Sequence, residues 1–88
     1  MSAHTRPQFQ PLVLVASVTT SINTTAIGGL FCTGAGTFTI NGLDDQGVLR
    51  QIVSFTGAPN TWYDLPFFIG ANGGNVVTGA GATGTLAT

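Results

Sequence analysis

Beyond residue 11 this chain never stays apolar, or alternating, for long before a Gly, Asn, Asp or Pro interrupts it. A helix that buries one face needs an apolar stripe at three- and four-residue spacing, and none is present. What remains is short period-2 or continuously apolar pieces bounded by turn residues, the pattern of a small all-β domain. The clearest piece is GTFTIN, residues 36 to 41, with Phe38 and Ile40 on one face and Thr37 and Thr39 on the other. Further strands are expected at LVLVASV (12 to 18), IGGLFCT (27 to 33), VLRQIVSF (48 to 55), LPFFI (65 to 69), NVVT (75 to 78) and GTLAT (84 to 88). Seven short strands at this spacing predict one small antiparallel β-sandwich or barrel over residues 12 to 88.

Turns are expected at NGLDDQG (41 to 47), through its Asn-Gly and Asp-Asp pairs, and at the Gly-rich segments 34 to 36, 70 to 75 and 79 to 81. Residues 1 to 11, MSAHTRPQFQP, are polar and carry two prolines that disfavour helix before them, so they read as an extended N-terminal arm. No apolar run reaches the ~18 residues of a membrane-spanning helix. The flanks of residues 12 to 18 also do not fit a secretory signal, having one Arg, two prolines and no small-x-small cleavage site.

Gly79, Gly81 and Gly84 stand in the spacing G-x-G-x-x-G, which in a dinucleotide-binding unit joins a strand to a helix whose N-terminal amides meet the phosphates. Four residues follow Gly84 and no acidic residue lies beyond Asp64, so neither the helix nor the ribose contact can follow. The glycines are read as a tight turn into a last strand. A Walker A loop is excluded because the chain has no Lys.

Cys32 is the single cysteine, which rules out an internal disulfide, and one thiol cannot make a structural zinc site. It is expected to be a small buried hydrophobe. His4 lies on the arm, away from Cys32, so no Cys-His pair is assembled. Asp44 and Asp45 are adjacent and therefore diverge in extended chain. With Asp64 as the only other acid they fall short of the six to eight oxygens a hard cation takes, and they are read as turn formers. No catalytic residue, cofactor or metal is expected, and the chain is read as non-enzymatic. Asn23-Thr24-Thr25 fits a glycosylation sequon, of consequence only in a secretory pathway.

Only 6% of the residues are charged, against roughly 25% in an ordinary soluble domain, while 43% are hydrophobic and the net charge is -1. Two arginines, Arg6 and Arg50, cannot neutralise a phosphate backbone, so nucleic acid is not an expected partner. An 88-residue chain with neither disulfide nor metal commonly gains support by oligomerising. VLRQIVSF carries apolar residues on both faces, Leu49, Val53 and Phe55 on one and Val48 and Ile52 on the other, and such strands are usually buried twice. The densest aromatic cluster is APNTWYDLPFF, residues 58 to 68, expected as a proline-stiffened loop. Trp62 is weighed as a core plug against an interface anchor, Tyr63 as its neighbour in an aromatic platform, and Phe67 and Phe68 fall on opposite faces so that one leaves the core.

Four stretches together resemble the small β-proteins of tailed-phage virions: LFCTGAGTFTING (30 to 42), VSFTGAP (53 to 59), DLPFF (64 to 68) and VVTGAGATGT (76 to 85). The similarity is to the head-spike base type and, more loosely, to capsid decoration proteins. It rests on Gly34 and Gly36 before an alternating strand, Val53, Phe55 and Gly57, the pair Leu65-Pro66, and Ala82 to Thr85. The resemblance implies a virion structural protein at the capsid surface, a decoration, cement or spike-base subunit. Its implied partners are copies of itself, as a homotrimer, and the major capsid protein or another virion protein, with no role for membrane. On this reading His4, Arg6 and Phe9 of the arm and Val48, Ile52, Trp62, Tyr63 and Phe68 of the domain form the interfaces. The rival reading is a small β-sandwich binding module in which Trp62 and Tyr63 recognise a carbohydrate or peptide.

Overall fold

The computed structural model describes residues 11 to 88. They form eight strands: β1 Pro11–Leu14, β2 Thr19–Ile22, β3 Gly29–Gly34, β4 Gly36–Leu43, β5 Leu49–Gly57, β6 Thr61–Asp64, β7 Gly74–Thr78 and β8 Thr83–Ala87. Two four-stranded antiparallel sheets result, one in the order β1-β8-β3-β6 and the other in the order β2-β7-β4-β5. Each odd-numbered strand hands the chain to the next even-numbered one in the opposite sheet. The sandwich is therefore a row of four arches whose crossings share one end. There the Ser17 N–H meets the Gly79 carbonyl at 3.1 Å and the Gly79 N–H meets the Thr37 carbonyl at 2.8 Å. The opposite end holds the 23 to 28 loop, the 44 to 48 turn and the 65 to 73 segment.

The alternation expected from the sequence fills the space between the sheets. Leu14, Leu30, Cys32 and Leu86 come from the first sheet and Ile22, Phe38, Ile40 and Val76 from the second, with Ile27, Ile69 and Ala82 closing the ends. Burying a large apolar side chain contributes about 1.5–3 kcal/mol, so these positions carry the fold. Cys32 lies wholly inside, as expected, and burial pushes its thiol above the ordinary value. The glycines at 79 and 81 turn the chain from β7 into β8, with Gly81 at φ +80 and the Ala82 N–H on the Gly79 carbonyl at 3.2 Å.

Three expectations are corrected. The described residues make eight strands where about seven were expected, because residues 12 to 18 turn at Ser17, φ 58, and the polar stretch TTSI forms β2. Thr19 and Ser21 face outward and the half-buried Thr20 shares the inner face with Ile22, so no apolar alternation announced it. The aromatic segment contains strand β6, whereas 65 to 69 forms only a single bridge, Ala26 to Phe68. Lastly, β1 opens at Pro11, the last residue assigned to the arm. Pro11 sits at the start of an edge strand, where a missing N–H costs little.

The 41 to 47 turn lies further along than its Asn-Gly pair indicates. Asn41 and Gly42 remain in β4, and the reversal runs Asp44 to Gly47, with the Gly47 N–H on the Asp44 carbonyl at 3.0 Å and Gly47 at φ +78. That is a type I turn with glycine in its left-handed last position. Asp44 Oδ1 accepts the N–H groups of Gln46 and Val48, both at 2.9 Å, and Oδ2 accepts Arg50 Nε–H at 3.1 Å. The Val48 N–H foremost, then the Gln46 N–H and the Arg50 guanidinium, outweigh slight desolvation and hold the Asp44 carboxyl below its ordinary value.

Candidate functional site

The two outer faces of the sandwich differ in chemistry. On the first sheet, odd-numbered residues of β1, β3 and β8 and even-numbered residues of β6 face outward. Pairing places them in rows that cross all four strands: Val13, Thr85, Phe31 and Trp62 in one, Pro11, Ala87, Gly29 and Asp64 in the next. Val13 is 68% exposed, Phe31 39% and Trp62 51%. Asp64 at the edge is the one charge in these two rows.

The second sheet presents Thr19, Val77, Thr39 and Ser54 in one outer row and Ser21, Asn75, Asn41 and Gln51 in the next. Only Val77 is apolar. The polar groups also satisfy one another, Thr39 with Ser54 through their hydroxyls and Asn41 Nδ2–H donating to Asn75 Oδ1, each at 2.9 Å. A face of mutually bonded neutral groups is at rest in water. One carrying an unpaired Val, Phe and Trp loses free energy by leaving it.

Trp62 is held in this position by glycine. Its six-membered ring lies over Gly29, where a Cβ would collide with ring carbons Cζ2 and Cη2. Trp62 is therefore an outward group spread across its own sheet and not the core plug weighed from sequence. Tyr63, one residue on, turns the other way: its ring packs on Phe55 at 4.9 Å between centroids, and its hydroxyl oxygen accepts the Ala58 N–H at 2.8 Å. Adjacent strand residues point to opposite faces, so Trp62 and Tyr63 cannot form one platform.

Comparison with family models, with curated proteins and with solved structures returned no match for this chain.

The remaining expected contact residues fall elsewhere. His4, Arg6 and Phe9 lie outside the described residues. Ile52 occupies a β-bulge, since Ile40 pairs with Val53 while Asn41 pairs with Gln51. The extra residue lets Ile52 and Val53 both pack on the domain's own core, which explains the apolar residues on both faces of β5 without a second buried surface. Val48 and Leu49 stay exposed at the turn, and Phe68 is 70% exposed while Phe67 packs inward, the split expected of that pair. Ile52 and Phe68 meet in an open cleft of 510 Å³ at the loop end, rimmed by Asp44, Asp45 and Arg50. Of that rim, Asp44 and Arg50 are already engaged with each other in an ion pair at 3.1 Å, with the Arg50 side chain 72% exposed.

Val13 and Phe31, which complete the apolar row, were not singled out from sequence. Each is one outward residue in a short strand, and only the successive pairing of β1 with β8, β8 with β3 and β3 with β6 aligns them with Trp62.

Proposed function

We propose that this chain is a non-enzymatic structural subunit of a virion, a decoration or spike-base protein at the capsid surface that assembles with copies of itself and with the major capsid protein. The observation that carries the reading is the outer face of the first sheet, where Val13, Phe31 and Trp62 stand in register and Asp64 is the only charge in the two rows among the described residues. Aromatic groups concentrated on an uncharged surface match the core of a protein interface, where charge is depleted and Trp and Phe are enriched. The neutral hydroxyl and amide groups of the opposite face keep the assembled particle wetted without adding net charge. The sequence resemblance supports the same reading independently of the sheet geometry.

The test is compositional. Mass spectrometry of purified phage particles should find the chain in many copies per particle; finding it only in the soluble fraction of the lysate contradicts the proposal.

The half-exposed Trp62 ring favours a second reading, a sugar-stacking platform without Tyr63. Under that reading Trp62 fluorescence changes on adding glycans at constant protein mass; silence across a broad panel removes it.

A further inference from the structure

The outer face of the first sheet has a relief as well as an apolar character. The short Thr85 sits between Val13 and Phe31 in their row, while the Trp62 indole reaches across to lie over Gly29, so the face is low at β8 and high at β3. We infer that this face packs against the same face of a second copy, about a two-fold axis running close to the strand direction between β8 and β3. The inference rests on the self-assembly reading above and names its contact and symmetry.

Two axes lying in the contact plane can stack the sheets face to face. An axis across the strands lays the row on itself, so Phe31 meets Phe31 and a void is left above Thr85. An axis along the strands reverses the rows: Phe31 drops into the low position at Thr85 of the second copy, and the Trp62 indole, lying over Gly29, comes down on its small Ala87. Close-packed interfaces set large groups against small ones, which selects the second axis. It also carries the two Asp64 carboxylates to opposite rims, three strand spacings or about 14 Å apart, beyond the screening length of physiological salt. Each then lies beside Pro11 of the other copy.

The polar second sheet is a poor alternative partner. Its Thr39–Ser54 and Asn41–Asn75 bonds are satisfied among themselves, and an apolar cover would only cut them off from water. The projected footprint, four strands at about 4.8 Å by about five residues at 3.3 Å, is roughly 300 Å². A standard stable interface buries about 800 Å² on each side, so a pair held by this face alone dissociates on dilution. The geometry points to a two-fold pair as the elementary contact, in place of the three-fold ring expected from the resemblance.

Thiol cross-linking tests the axis. Pro11→Cys and Asp64→Cys each place a thiol at the exposed rim, and the buried Cys32 does not compete for the reagent. With a cross-linker spanning about the 10 Å between packed sheets, a mixture of the two variants should couple about tenfold faster than either alone, through the raised effective concentration of opposed thiols. Adding Phe31→Thr or Trp62→Thr to both chains should abolish the difference. Equal coupling of each variant with itself overturns the axis. No coupling above that of the Trp62→Thr chains overturns the pairing itself, while the virion reading still stands or falls on particle composition.

Discussion

Thr78 Oγ1 accepts the N–H of Val18 at 3.1 Å, joining residues 60 positions apart at the corner where β1 passes into β2. The same hydroxyl lies 2.5 Å from the Val15 carbonyl and 2.9 Å from the Val18 carbonyl, and its single proton serves one of them. Thr78 is the one buried polar residue among those described, and the arch is organised around it. Replacing it with Val keeps the shape and strips partners from a backbone N–H and a carbonyl. Thr78→Val is expected to lose about 1–3 kcal/mol, and Thr78→Ser, which keeps the hydroxyl, less. Thermal unfolding checks this, at roughly 4–8 °C of midpoint per kcal/mol for a domain of this size.

Two glycines of the β4–β5 hairpin should both resist alanine, to different degrees and for different reasons. A Cβ at Gly42 falls on the carbonyl oxygen of Ile69 and close to Ile52, so Gly42→Ala forces the 65 to 73 segment away and is expected to cost about 1–3 kcal/mol or more. At Gly47 nothing lies within 4 Å, and the cost of Gly47→Ala is the strain of its left-handed backbone, about 1 kcal/mol. Denaturant midpoints of the two variants give the comparison.

Gly29→Ala should be felt at Trp62. The added methyl would meet the indole and lie 2.6 Å from the Tyr63 carbonyl oxygen, so the ring must lift from the sheet. The expected outcome is a red-shifted Trp62 emission together with a stability loss of about 1–3 kcal/mol. Unchanged emission would show that the ring does not rest on Gly29.

Acid should weaken the hairpin through Asp44. Its carboxyl is held below the unfolded value, so its contribution is present above the unfolded pKa of about 3.9 and is lost as pH falls through the lower folded value. The unfolding midpoint of the chain should therefore fall more steeply below about pH 4 than that of Asp44→Asn. Parallel curves for the two proteins would mean that the Val48, Gln46 and Arg50 contacts add nothing to stability.

How much of this was legible in the sequence depends on whether one strand sufficed to see it. The alternation of Phe38 and Ile40, the turn role of Asp44, the burial of Cys32 and the glycine turn from 79 to 81 into the last strand were all local and were all readable. Strand β2 was not, because Thr19 and Ser21 face water and no apolar period marks them. The doubled apolar pattern of Val48 to Phe55 pointed to a second buried face, but a bulge at Ile52 produces the same pattern within one domain. Trp62 was singled out, yet its companions Val13 and Phe31 lie 49 and 31 residues before it and join its row only through strand pairing, which no local window contains.

Light scattering across a dilution series tests the central claim most directly, with the chain, Trp62→Thr and a control on the polar sheet, Val77→Thr, run side by side. The account predicts that the chain and Val77→Thr rise above the 8.9 kDa monomer with concentration and return to it on dilution, while Trp62→Thr stays monomeric throughout. A constant 8.9 kDa for the unsubstituted chain, or association that Trp62→Thr leaves unchanged, would contradict it.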